Sequence, residues 1–278
     1  VNKACRRMET DEMAQDLDMH STLPPRRPAW GWLQFAALVA YLLCAVAYLF
    51  AIPPGQAPDE EQHLTCVQSI AERLQLAALP GTALARDPGR MVSDEAQQPP
   101  LYYLLMAPVW LAAGGRPALF YLLARSLSIL IGLGAILLTQ RAVRTVLPGR
   151  LDLLALSTVF ACTFATYNYV MATVNNEVLA VLVFALGLWF AARALVAERP
   201  LAPVLWLGAM IGLALLVKLT ATCLMAVLIV VALAVTAREA GARRCMRALG
   251  LIGAAAGVAL VIGGWWPLRN VLVYDQPI

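Results

Sequence analysis

Charge is scarce in this chain of 278 residues: Asp, Glu, Lys and Arg make up 14% of it, against 61% hydrophobic residues and a mean hydropathy of +0.71. Water-soluble domains carry about 25% charged residues, so a soluble fold is excluded. Metal and disulfide chemistry is equally thin. There are two histidines, and the six cysteines, at 5, 44, 66, 162, 223 and 245, show no CxxC or ligand-like spacing. No zinc site or disulfide framework is indicated. Gly-rich phosphate loops, HExxH and GxSxG are missing in the context each needs, so a bound nucleotide or organic cofactor is not expected. The short alternating segments of a transmembrane barrel are missing too, and the Leu/Val/Ala blocks exclude a disordered chain.

What is present is a series of long runs without acid or base, at 28–58, 96–115, 153–176, 200–217, 219–237 and 248–268. Each is near or above the ~18 apolar residues that suggest a membrane helix. The fold class expected is therefore all-α, a polytopic transmembrane bundle of about eight apolar helices whose first partner is the lipid bilayer. Nineteen of the twenty-one basic residues are Arg, most of them in short loops beside the apolar runs. There they orient helices and do not point to nucleic acid.

Residues 1–28 mix five acids, five bases and three prolines without apolar period, and read as a disordered cytoplasmic tail. Residues 29–278 read as one transmembrane domain. Arg26 and Arg27 precede Trp30 and Trp32, so the first span should start inside and run outward as an uncleaved anchor. The outer loop, 53–99, holds seven of the seventeen acids against three Arg. Within it Leu64, Val67, Ile70, Ala71 and Leu74 repeat at helical spacing, which predicts an amphipathic helix over Asp59–Leu79 lying on the outer membrane surface. Basic clusters at Arg141/Arg144/Arg150, Arg193/Arg199 and Arg238–Arg247 alternate with base-poor junctions near 173–177 and 218–222. Later spans therefore zigzag consistently, but the two apolar runs at 99–113 and 117–140 give one crossing too many unless one is re-entrant or kinked or the distribution of bases does not set orientation there.

The chemistry-bearing residues cluster at the outer junctions. In Pro58-Asp59-Glu60-Glu61-Gln62-His63, Glu60 and His63 project toward the apolar stripe with Asp59 at its edge, while Glu61 and Gln62 face away. Acids in a first helical turn also stabilise the dipole with no further role. Asp59 and His63, four residues apart, are able to share a proton or a divalent ion. Gln98 and Tyr102 belong to a Gln-Pro-Pro-Leu-Tyr-Tyr entry into the next apolar run, and Glu177 follows two asparagines at an outer junction, where a simple helix cap explains it as well. Arg125 interrupts an apolar run, and Lys218 and Arg269 stand at the ends of others. A charge in hydrocarbon costs on the order of 2.5–3.5 kcal/mol, so such bases snorkel or hold an anion.

Taken in order, the outer acidic cluster, QQPPLYYLL, ARSLS, VNNEVLAVLVFALGLW, GLALLVKLTA and WWPLRNVLVYDQP resemble bacterial members of the GT-C superfamily over about residues 30–278. These are membrane glycosyltransferases that use polyprenyl-phosphate sugars, related to protein O-mannosyltransferases and the lipid A aminoarabinose transferase. The resemblance implies an inverting transferase of the bacterial inner membrane, with its site on the outer face and its N-terminus in the cytoplasm. It implies Asp59 as catalytic base or metal ligand, with Glu60 and His63 beside it, and a divalent cation at Asp59/Glu60 as the one inorganic partner to consider. Gln98, Tyr102, Arg125, Glu177, Lys218 and Arg269 are the substrate-binding candidates, and the acceptor is open. Relatives continue beyond the position of Ile278, which suggests an N-terminal fragment or a shortened member. A transporter or flippase of lipid-linked substrates is the alternative: it needs the same bases but no poised acid.

Overall fold

The computed structural model describes residues 27–275. The disordered tail expected for 1–28 therefore lies almost wholly outside the described residues. Among these there are eleven α-helices and no strand, only an isolated bridge between Ala78 and Val92. In chain order the helices are α1 (Arg27–Ala51), α2 (Glu60–Arg73), α3 (Leu101–Ala112), α4 (Pro117–Val146), α5 (Leu151–Thr163), α6 (Ala165–Met171), α7 (Glu177–Val196), α8 (Leu201–Val217), α9 (Leu224–Val235), α10 (Gly241–Gly263) and α11 (Trp265–Tyr274).

Four of them, α1, α4, α7 and α10, are long and apolar enough to cross a membrane, and α5 with α6 would make a fifth as one span bent by 62°. The apolar helices α3, α8 and α9 are shorter. Counting α5–α6 as one, the described residues hold eight apolar helices, of which four, or five with the bent pair, are long enough to cross a membrane by length and composition. At 1.5 Å per residue, the 12 residues of α3 fall well short of a ~30 Å hydrocarbon layer. A helix this short fits the re-entrant or kinked alternative for the 99–140 region.

α7 sits at the centre, with half of its apolar window buried, whereas α1 has only 17% buried. α4 and α8 flank α7, and α10 packs on α8. α1, α5 and α6 form a second group against α4. Trp32, Phe35, Leu43 and Phe50 on α1, like Leu260 and Val261 on α10, point away from the protein. Rows of large exposed apolar side chains of this kind are stable in a lipid surround and not in water. The α8–α10 contact depends on small residues. A Cβ added at Gly212 would lie 2.8 Å from Ile262 Cβ and 2.9 Å from the Ala259 carbonyl oxygen. The two backbones approach closely there, as in small-residue membrane packing.

Two sequence expectations are corrected by local geometry. The predicted 59–79 helix stops at Arg73, because Leu74 turns into the left-handed region (φ 52°). The Leu74 and Gln75 amides then donate to the carbonyls of Ile70 and Ser69, and Ser69 Oγ donates to the Gln75 carbonyl. That closure ends a helix by satisfying its last carbonyls. Its stripe faces protein: Leu64 and Val67 are buried in one core with Tyr102, Tyr103, Met106 and Trp110 of α3. The uninterrupted span expected near 151–173 breaks at Phe164, where Asn168 Nδ2 donates to the freed carbonyls of Cys162 (2.8 Å) and Phe164 (3.1 Å).

Candidate active site at the Asp59 end

The loop between α1 and α3 folds back on α2 and closes one end of the bundle. Ser93 Oγ donates to the Gln62 carbonyl, the Asp94 amide donates to Gln62 Oε1, and Trp110 Nε1 on α3 donates to Glu72 (2.9 Å). Two consecutive acids at the start of α2 are thereby sent in opposite directions.

Glu60 is fully buried. Its Oε1 accepts from Arg125 Nε (2.9 Å) and the Val174 amide (2.8 Å), and its Oε2 accepts from Arg125 Nη2 (2.6 Å) and the Gly55 amide (3.2 Å). Arg125 completes its own set on the carbonyls of Leu49, Ile52 and Pro53 at the end of α1. A guanidinium has five N–H donors, and here all five are engaged. Arg125 was expected as an anion ligand and Glu60 as a catalytic acid or metal ligand. The structure gives each the other as partner, which leaves neither free for a ligand.

Asp59 is exposed and unlike its neighbour. It occupies the left-handed region (φ 60°, ψ 3°), and its side chain makes no capping bond to α2, although its carbonyl accepts from the His63 amide (2.8 Å). Any contribution of this acid to α2 is therefore through the helix dipole alone. Glu95 is the neighbour that sequence reasoning missed as a site residue. Its half-buried carboxyl is held above the usual range, first by burial and then by the charge of Asp59, with Lys218 and a hydrogen bond from Gln98 acting in the opposite direction. The signal was available in the acidic pair Asp94-Glu95 just before Gln97-Gln98, but nothing in the spacing places it opposite Asp59.

His63 is buried, with Nδ1 3.0 Å from the Tyr103 hydroxyl. Burial, with a smaller push from the Lys218 charge, lowers its pKa to about 3, so the ring is neutral at physiological pH. Tyr102 stacks edge-on to His63 at 6.2 Å, but it is sealed in the core with its hydroxyl unpartnered. It touches no open space a substrate could enter.

The remaining candidates converge on the same end from other helices. Lys218 breaks α8 in an extended conformation, and its Nζ lies 2.8 Å from Glu177 Oε1 at the start of α7. Asn175 Oδ1 caps the Glu177 amide (2.8 Å), while Asn176 Nδ2 reaches Gln98 Oε1 (3.3 Å). Asn270 Nδ2 on α11 donates to the Gln97 carbonyl (3.0 Å). Arg269 lies over the rings of Trp266 and Tyr274, 4.9 Å from each centroid, and binds Asn270 Oδ1 (2.7 Å). Among the described residues it has no carboxylate partner. The buried oxygens Gln97 Oε1 and Asn176 Oδ1 also lack a hydrogen-bond donor. The structure thus brings Asp59, Glu95, His63, Gln98, Glu177, Lys218 and Arg269 to one end, and it draws Glu60, Arg125 and Tyr102 into the interior. No group of three metal-ligating side chains occurs among the described residues.

Fold and site together define a helical bundle of membrane-type composition with a mixed acidic and basic cluster at its loop-bearing end. No family model, curated protein or solved structure matches the chain.

Proposed function

We propose that the protein is a membrane glycosyltransferase that moves a sugar from a polyprenyl-phosphate donor to an acceptor hydroxyl at the Asp59 end of the bundle. The observation that carries this reading is the split between the two adjacent acids. Glu60 is fixed as a structural anion, while Asp59 is exposed, uncapped and turned outward beside a second carboxyl. An acid with no role in capping or pairing, set at the rim of a cationic and amide-rich cluster, suits proton transfer.

In this mechanism Asp59 takes the proton of the acceptor hydroxyl as its oxygen attacks the anomeric carbon. The bond to the donor phosphate breaks on the opposite face, which inverts the centre. Lys218 and Arg269 offset the charge that develops on the leaving phosphate. Gln98 and Glu177 position the sugar, and His63, neutral and held by Tyr103, supports the floor beneath Asp59. The reading rests on the sequence resemblance to the GT-C superfamily, which implies a site on the outer face of a bacterial inner membrane and an N-terminus in the cytoplasm.

The transporter reading draws on one observation of its own, the bent α5–α6 segment with Asn168 at its break. Discontinuous helices are common at transport sites. Transfer of labelled sugar from polyprenyl phosphate by membranes containing the full chain separates the two. Asp59→Asn should cost about two to four powers of ten in rate if it removes a general base, with Glu61→Gln as the control on the other helix face. Full activity in Asp59→Asn refutes the assignment. Donor binding with no transfer by the unaltered protein, across acceptor hydroxyls of protein, lipid and glycan, favours transport.

A further inference from the structure

The end of the bundle opposite Asp59 carries two adjoining recesses that the proposed transfer reaction does not use. One is a groove of about 540 Å³ between the last turns of α4 and α7 and the middle of α9. Its walls are apolar, and it exists because Ala142, Ala191, Ala192 and Ala226 stand where larger side chains would close the gap. The other is a charged recess of about 470 Å³ where the α7–α8 turn meets the α9–α10 turn, lined by Glu198, Arg238, Glu239 and Arg247. Leu195 lines both, so the apolar groove leads into the charged recess.

Within the recess the charges are unevenly matched. Arg247 pairs with Glu239 through Oε1, whereas Glu239 Oε2 is shielded from water with no hydrogen-bond partner. Glu198 and Arg238 are exposed, and neither belongs to an ion pair among the described residues. The recess therefore offers one free guanidinium and one free carboxylate, with the Arg247–Glu239 pair closed beside them. An anionic headgroup would satisfy Arg238 and be repelled by both acids. A choline headgroup carries positive charge but no N–H, and so makes no hydrogen bond to Glu198. A phosphate joined to a primary ammonium meets both demands, and an attached hydrocarbon chain fills the groove.

We propose that these recesses form a binding site for an ethanolamine-type glycerophospholipid. The phosphate sits on Arg238, the ammonium lies on Glu198, and one acyl chain runs along the groove past Leu195 toward Ala226. Lipid recognition by charged pockets between membrane helices follows the same physics.

The test is native mass spectrometry of the full chain, delipidated in detergent and then offered equal amounts of phosphatidylethanolamine, phosphatidylcholine and phosphatidylglycerol with matched acyl chains. The ethanolamine lipid should be retained about tenfold over the choline lipid, the effect of one charge-assisted hydrogen bond. Glu198→Gln should abolish that preference, Arg238→Gln should weaken retention of all three lipids, and Ala226→Phe should do the same by filling the groove. Melting temperatures of Glu198→Gln and Arg238→Gln should match that of the unaltered protein, because both side chains are exposed. Free phosphoethanolamine should not be retained, since it cannot use the groove. Equal retention of ethanolamine and choline lipids, preference for the glycerol lipid, an unchanged preference in Glu198→Gln, or tight binding of free phosphoethanolamine would each overturn the proposal.

Discussion

Arg125 of α4 and Glu60 of α2, 65 residues apart in sequence, share a two-point ion pair in which every guanidinium donor and both carboxylate oxygens are occupied. The pair joins four segments at once: the carbonyl end of α1, the first turn of α2, the first third of α4 and the bend before α7 through the Val174 amide. Glu60→Gln and Arg125→Met should each lower unfolding stability by about 3–5 kcal/mol, because each strands a buried charge. The double variant should cost less than the sum of the two. Thermal unfolding in detergent measures this, and strictly additive losses would show that the pair does not act as a unit.

Asp59 should behave in the opposite way. It is a non-glycine residue at positive φ with no capping bond. Asp59→Gly should leave stability unchanged or raise it by up to ~1 kcal/mol, while Asp59→Val, with a branched Cβ in the same conformation, should lower it. Under the proposed function both variants lose transfer activity. A marked loss of stability in Asp59→Gly would mean that the carboxylate makes a structural contribution absent from this geometry.

His63 makes stability depend on acid. Its pKa falls from 6.5 to about 3 on folding, so below pH 6.5 the unfolded chain binds a proton that the folded chain refuses. The stabilisation is complete above pH 6.5 and declines as pH falls from 6.5 toward 3, with a slope of at most ~1.4 kcal/mol per pH unit. His63→Gln should flatten that part of the unfolding profile between pH 6.5 and 4. An identical slope in the variant would assign the acid sensitivity to other groups.

Gly212, like Gly208 one turn earlier, is a point at which α8 touches α10. Gly212→Ala should destabilise by about 1–3 kcal/mol, since the added methyl meets the Ala259 carbonyl and Ile262 Cβ. Gly257→Ala on α10, where nothing lies within 4 Å, is the paired control and should be neutral or better. Equal effects at the two sites would argue that helix propensity decides the outcome and not packing.

The Lys218–Glu177 pair has side chains 21% and 42% exposed, so solvent screens it. Lys218→Met should therefore change stability by less than ~1 kcal/mol. Under the proposed function it weakens donor binding several-fold, and Arg269→Met does the same. Equilibrium binding of a polyprenyl-phosphate sugar to the detergent-solubilised full chain measures both. Unchanged affinity in the two variants would remove them from the phosphate site.

Composition and periodicity determined the helical character of the chain and helices apolar enough to cross a membrane, because a run of some twenty apolar residues has few other stable solutions. They also located α2 by its apolar stripe and gathered the chemistry at the Asp59 end from junction residues such as Lys218 and Arg269. The stop at Arg73 and the break at Phe164 were not legible. Each depends on a side chain, Ser69 or Asn168, reaching carbonyls that become free only when the backbone turns. Local reading also gave Asp59 and Glu60 the same chemistry, as adjacent acids in one first turn, and made Arg125 a free cation. Only the tertiary structure separated them: burial makes an unpaired charge prohibitively costly, so the acid that points inward must find the base that points inward. Asp59 is left outside, beside a Glu95 whose proximity no spacing in the sequence specifies.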